Sequence, residues 1–358
     1  RVLFRSIFLM NRSVNAEQFK LGLQELVVPG QAVVYADTGG NIAYWTTGKI
    51  PIRNGKFAML PQSGSTGENE WKGFIPFAQM PSLWNPPEKF IACSNQKIAD
   101  DRYPYYLSTL WEPTSRIQRI RQLLRSTEKF TPDDFKQFQQ DITSPYAEEM
   151  TRNILHAYDS VQTDNQLVAD ALHYFRNWDY RFTQNDIATT IFNQFFIRLI
   201  HNIYEDEMGP DVFNDFVFFG AIPYRVTGQL MSTDTSSWFD DVRTQERETK
   251  NQMIRKSFGE AVNELRSMFS DEMKTWRWGS LHTVTFEHPF GKRSPLDNVF
   301  NIGPFPVNGG GTTLSKTEYK FTKPYSVSVG PSMRQVVDLA EPMQAFTVIT
   351  SGESDRKS

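Results

Sequence analysis

Apolar positions along the chain change their period twice. Phe19, Leu23, Leu26 and Val27 recur at helical spacing behind Asn15, which reads as an N-cap with Gln18 at the third helical position. Pro29-Gly30 ends that helix. Ala32–Ala36 and Asn41–Thr47 are then rich in strand formers, and Asp37-Thr38-Gly39-Gly40 between them supplies turn chemistry, so the pair predicts a hairpin. The stretch from Gly48 to Pro87 is rich in Gly, Pro and Asn but carries Trp71, Phe74, Phe77 and Trp84, which predicts an ordered surface loop rather than a linker. Phe90–Asn95 reads as a short strand.

The middle of the chain is helical. Ile117, Ile120, Leu123 and Leu124 share one face after Pro113-Thr114. Thr131-Pro132 and Ser144-Pro145 are cap-plus-proline starts. Further helical patterns cover 163–177, 184–206 and 245–269. Short strand signals return at Leu281–Phe286, Glu318–Phe321, Tyr325–Val329, Arg334–Leu339 and Phe346–Ile349. The order predicts an α+β chain with a first β-bearing part at 1–112, a mainly helical insertion at 113–275 and a returning β-rich part at 276–358. In that arrangement the returning strands pair with the first ones. Two separate domains are the alternative.

Composition narrows the function classes. Lys+Arg total 38 and Asp+Glu 41, giving a net charge of −3, which leaves no cationic excess to displace counterions from nucleic acid. Mean hydropathy is −0.48, and no run of about 18 apolar residues occurs, so no membrane span is predicted. One cysteine excludes a disulfide framework and a cysteine-based zinc site. The 28 Phe, 13 Tyr and 8 Trp imply a large aromatic core or an aromatic-lined groove.

Few residues invite chemistry on their own. His282 and His288 on one strand would lie about 20 Å apart at about 3.3 Å per residue, too far to share an ion. His156, His173 and His201 have no partner four residues on. Gly309-Gly310-Gly311 lacks the lysine and helix of a phosphate loop and reads as a flexible turn. Cys93 lies in an apolar run with no nearby histidine and reads as a buried thiol. Asn95 closes the Phe90–Asn95 strand on the side of Cys93. Its amide is either a turn residue or an N–H donor to a developing oxyanion. Arg116 stands at a helix start, where the macrodipole disfavours a cation, so it is either solvated or held by a carboxylate or a substrate.

These stretches, taken in order, resemble the penicillin acylase family of N-terminal-nucleophile hydrolases. The matching runs begin with Tyr35-Ala36-Asp37-Thr38-Gly39-Gly40-Asn41-Ile42, Thr47-Gly48-Lys49-Ile50-Pro51-Ile52-Arg53 and Trp71-Lys72-Gly73-Phe74-Ile75-Pro76-Phe77. Asn85-Pro86-Pro87, Tyr103-Pro104-Tyr105, Trp111-Glu112-Pro113 and Arg116 follow, then Trp178-Asp179, Trp278-Gly279-Ser280-Leu281-His282, Phe286-Glu287-His288-Pro289 and Gly330-Pro331-Ser332-Met333-Arg334. The resemblance implies a four-layer αββα fold, present in part, with a large helical insertion. It also implies hydrolysis of an N-acyl amide by an N-terminal Ser that a self-cleaving precursor exposes and whose own α-amine is the base. The family's oxyanion-hole Asn falls on Asn95 and its active-site Arg on Arg116.

No segment resembles the autoproteolytic Ser, so the chain is expected to be the C-terminal part of the β chain, with the nucleophile and the smaller α chain upstream. On that expectation its partners are an N-acyl amide substrate, its own α chain and the N-terminal part of its β chain. Periplasmic or secreted localisation is implied, and no cofactor is expected of this chain, with calcium open for the full-length enzyme. The calcium-binding Asp of some members would fall near Leu107, which offers no carboxylate. A non-catalytic acylase-like binding protein with an aromatic groove is the alternative. The end residues also carry an expectation: Leu3-Phe4-Arg5-Ser6 and Asp355-Arg356-Lys357-Ser358 are encodable by the two strands of one short DNA, as an adapter would leave, or match by chance.

Overall fold

A computed structural model describes residues 2–54 and 60–350. Residues 55–59 of the Gly48–Pro87 stretch and the end residues 355–358 lie outside the described residues. The chain divides into two units, 1–111 with 338–343 and 112–337 with 344–358.

In the first unit, the Asn15 side chain accepts the Gln18 N–H at 2.9 Å, and the Gln18 side chain accepts the Val14 N–H at 3.2 Å. This closes the start of α2 (Ala16–Gln24), which packs on α1 (Val2–Asn11). The two helices approach closely at Gly22, where a β-carbon would sit 2.9 Å from Met10 Cγ. The Ser6 hydroxyl donates to the Gly22 carbonyl at 2.7 Å in the same contact. The hairpin forms as predicted from β1 (Ala32–Ala36) and β2 (Ile42–Thr46), antiparallel, with Ala36 opposite Ile42. The Asp37 carboxylate accepts the Asn41 N–H at 3.0 Å across the turn, and Gly40 supplies φ +84°.

β3 (Ser82–Trp84) adds to the other edge of β2, so the sheet order is β1-β2-β3. The Asn85 side chain fixes that junction, accepting the Ile42 N–H at 2.9 Å. Leu23, Ala43 and Trp45 form the small core, with Phe19 and Tyr35 packed against it, their ring centroids 5.1 Å apart. Trp84 reaches Trp45 at 6.2 Å. Of the aromatic residues in the Gly48–Pro87 stretch, Phe77 and Trp84 reach this core, whereas Trp71 and Phe74 stay exposed and meet each other.

Residues 90–95 form no strand, contrary to the expectation. The Ser94 N–H is taken by the Gln96 side chain at 2.7 Å and Asn95 adopts φ +63°. Such a local side-chain-to-backbone bond diverts the chain from a ladder.

The second unit contains α3 (Ser115–Leu124), α4 (Pro132–Phe138), α5 (Pro145–Ala157), α6 (Gln166–Arg176), α7 (Ile187–Phe218), α8 (Ala221–Met231) and α9 (Lys250–Met268). Thr131 and Ser144 cap α4 and α5 as their sequences predict, and Thr131 forms a full capping box with Asp134. α7 runs on beyond the predicted 206 because the chain kinks at Gly209 (φ +70°), before Pro210, and resumes as helix. Phe195 and Phe258 bring α7 and α9 together, ring centroids 6.0 Å apart.

Six strands follow: β4 (Thr283–Phe286), β5 (Ile302–Pro306), β6 (Glu318–Lys320), β7 (Lys323–Val329), β8 (Met333–Val337) and β9 (Ala345–Ile349). They pair antiparallel as β4-β5, β6-β7 and β8-β9. Each has a partner close in sequence, whose loop costs less entropy to close.

His282 anchors this region. Its side chain is fully buried and stacks on Trp278 with centroids 4.4 Å apart. Nδ1–H donates to the Tyr325 carbonyl at 2.7 Å, and Nε2 lies 3.0 Å from the Thr317 hydroxyl. Burial lowers its pKa to about 4. The unfolded chain, with an ordinary imidazole near 6.5, binds the proton more tightly. His282 therefore contributes stability in full above pH 6.5 and loses it as pH falls toward 4, a change of roughly 3 kcal/mol. Denaturant melts between pH 7 and pH 4.5 should show this slope, and His282→Gln should flatten it. An unchanged slope in the variant would assign the pH dependence elsewhere.

Candidate active site

The residues singled out from sequence fall in both units. Asn95 belongs to the first. It is exposed, in the left-handed backbone region that Asn tolerates better than most residues. It lines a cavity of about 460 Å³ with Tyr44, Thr46, Thr47, Cys93 and Trp111. None of the described residues lining this cavity is charged. The strand argument that placed Asn95 beside Cys93 fails, yet the bend brings both to one cavity wall. Burial pushes the Cys93 thiol pKa up, the opposite of what a thiolate nucleophile requires. The Tyr44 hydroxyl is likewise pushed up by burial and lies 3.2 Å from the Thr46 hydroxyl.

Arg116 belongs to the second unit, as the second residue of α3. Of the alternatives open in the sequence, the carboxylate is realised: Arg116 Nη2 lies 3.7 Å from Glu112 Oε1. Glu112 also meets Lys316 Nζ at 2.9 Å, and Lys316 meets Glu318 at 2.6 Å. The four side chains alternate in sign and are only 13–18% exposed. Gly220 makes room for this chain of charges, since a β-carbon there would come 2.2 Å from Glu318 Oε1. Sequence reasoning missed Glu112, Lys316 and Glu318. The four-residue spacing of Glu112 and Arg116 was a signal for the first pair. The approach of residue 316 to residue 112 had none.

Gly309-Gly310-Gly311 is not a flexible turn. It is buried, and a β-carbon on Gly310 or Gly311 would press within about 3 Å of Phe182 or Tyr224. The Trp278 indole N–H donates to the Gly309 carbonyl at 3.0 Å. His288 has a local partner, its Nδ1 accepting the Phe290 N–H at 3.1 Å. Among the described residues no group of three or more His, Cys, Asp or Glu side chains is placed to hold an ion. The side chain of Leu107 supplies no oxygen to a calcium site.

The sequence matches the Penicillin amidase family profile over residues 2–357. It is 24% identical to the acyl-homoserine lactone acylase QuiP of Pseudomonas aeruginosa, over 97% of this chain and 44% of that protein. It is 25% identical to the penicillin acylase 2 proenzyme of Pseudomonas sp. strain SE83, over 79% of this chain and 35% of that one. A 102-residue stretch is 38% identical to the penicillin G acylase of Escherichia coli, covering 28% of this chain and 12% of that protein. The chain thus spans less than half the length of these curated relatives. The solved structure of a thermostable penicillin G acylase from Alcaligenes faecalis superposes with a TM-score of 0.61 at 16% identity, over 77% of this chain and 54% of that one. That likeness shows that the α+β fold is the one that penicillin G acylase has. With the profile running along almost its whole length, the chain belongs to the penicillin amidase family.

Proposed function

We propose that this chain is part of the β chain of an N-acyl amide hydrolase whose nucleophile is an N-terminal Ser outside it. The observation that supports the reading is Asn95, a neutral amide on the wall of a cavity of about 460 Å³ that has no charged side chain among its described lining residues. The Ser hydroxyl attacks the amide carbonyl while its own α-amine takes the proton. Asn95 donates an N–H to the oxyanion that forms, where an uncharged surround makes such a bond worth more than in water. The tetrahedral intermediate expels the amine, and water hydrolyses the acyl-enzyme. Substrates are N-acyl amides, with β-lactam amides and N-acyl homoserine lactones as the classes that the relatives' names suggest. An α chain and the N-terminal part of the β chain complete the enzyme, which is periplasmic or secreted. Arg116, in the second unit, is the other residue that the family resemblance offers for catalysis, in a positioning role or toward a polar part of the substrate.

The purified 358-residue chain should not turn over chromogenic acyl amides, because nucleophile and base are one absent residue. Turnover that a serine-directed acylating agent abolishes would overturn this.

In the protein that carries the Ser, Asn95→Ala should lower kcat by about 10²–10³, or about 2.7–4 kcal/mol, with a smaller change in KM. The neutral ground-state carbonyl needs the donor less than the oxyanion does. A kcat within about threefold of the parent, with chemistry rate-limiting, would make Asn95 a bend residue only.

Arg116→Ala should lower kcat/KM by about tenfold or more while the protein still folds. Glu112 keeps Lys316 as its partner in that variant. The stability loss should therefore fall below the about 3–5 kcal/mol typical of stranding a buried charge. Collapse of the fold with unchanged specific activity in the soluble fraction would make Arg116 structural.

A further inference from the structure

A second cavity of the first unit, of about 420 Å³, is lined by Arg53, Lys97, Asp101, Tyr103, Tyr106 and Trp111 among others. Its volume lies in the range of small-molecule sites. The other charges around it are paired: Lys97 with Asp101, and Asp100 with Arg102 at 2.6 Å. Arg53 has no carboxylate partner among the described residues. Its guanidinium carbon lies over two rings instead, 5.7 Å from the centroid of Trp71 and 5.9 Å from that of Tyr106.

Contacts of this kind with ring faces do not consume the guanidinium N–H donors, which stay available to a ligand. A fork held in one plane is pre-organised for two parallel hydrogen bonds to a carboxylate, and little side-chain entropy remains to be lost on binding. The tyrosines and Trp111 offer flat apolar surface to the rest of such a ligand. We infer that this cavity is a binding site for a small monocarboxylate with a flat apolar body, its carboxylate on Arg53. The site shares Leu107, Ser108 and Trp111 with the cavity that Asn95 lines. It needs neither a nucleophile nor Asn95, so it stands apart from the amide-hydrolase reading.

Isothermal titration of the 358-residue chain with 3-phenylpropionate and with its uncharged amide, 3-phenylpropanamide, tests this. The acid should bind saturably and the amide about tenfold or more weakly. Arg53→Met should weaken the acid by about tenfold or more and leave the amide within about twofold, with near-ultraviolet circular dichroism confirming a folded variant. If Arg53→Met does not fold, the comparison of acid and amide on the parent chain decides. Equal affinity for acid and amide, no saturable binding of the acid up to about 10 mM, or a folded Arg53→Met that keeps the acid within about twofold overturns the site.

Discussion

From Ile187 to Tyr204, α7 is enclosed on nearly every side, so each polar side chain along it must find a partner inside the protein. Asn193 accepts the Tyr319 hydroxyl at 3.0 Å. Gln194 bridges Glu264 on α9 and Tyr325 on β7. Arg198 reaches Glu260 at 3.2 Å, and Asn202 reaches Glu260 at 2.7 Å and Ser257 at 3.0 Å. A slide of one helix along the other would leave several of these groups unsatisfied at once, at about 1–3 kcal/mol each. The hydrophobic contacts between α7 and α9 supply attraction, and this polar seam selects the register. Through Tyr319 and Tyr325 the same helix fixes β6 and β7. Tyr325 in turn offers the carbonyl that holds His282. β6 and β7 are thus positioned by a helix rather than by a broad sheet.

This explains which elements were legible in the sequence. Helix starts at Asn15, Thr131 and Ser144 depend on atoms within four residues of each other, and all three could be read from local chemistry. The hairpin β1-β2 was legible for the same reason. What depends on distant partners was not. β5 contains Pro304 and Pro306, which argue against a strand until β4 is there to pair with it. The second half of α7 follows a glycine and a proline, ordinarily a stop signal. Gly309–Gly311 looked flexible because the rings of Phe182 and Tyr224 that press on it come from far along the chain.

The candidate site shows the same divide. Asn95 and Arg116 were reached by resemblance, not by periodicity; the local structure around Asn95 differs from its first reading, whereas Arg116 realises one of the alternatives that its position left open. Asn95 closes no strand; one bond from Ser94 to Gln96 turns the chain there. Arg116 is seated against the preference of a helix start because Glu112 lies beside it and Lys316 shares that carboxylate. A cation so placed is anchored by the protein's own charges, which limits how far its guanidinium can shift toward anything else. Arg53 is the contrasting case, a cation steadied by rings and left without a counter-charge among the described residues.

The two cavities of the first unit therefore differ in kind although they share three wall residues. The one that Asn95 lines carries no charged side chain among the described residues, so its described wall would neither repel nor neutralise an oxyanion in advance. A neutral N–H donor there costs little to desolvate and gains strength only as charge develops, the property that separates transition-state from ground-state binding. A guanidinium on the same wall would bind ground-state anions tightly and gain less on the way to the transition state. Arg53, which has no carboxylate partner among the described residues, stands instead on the wall of the neighbouring cavity.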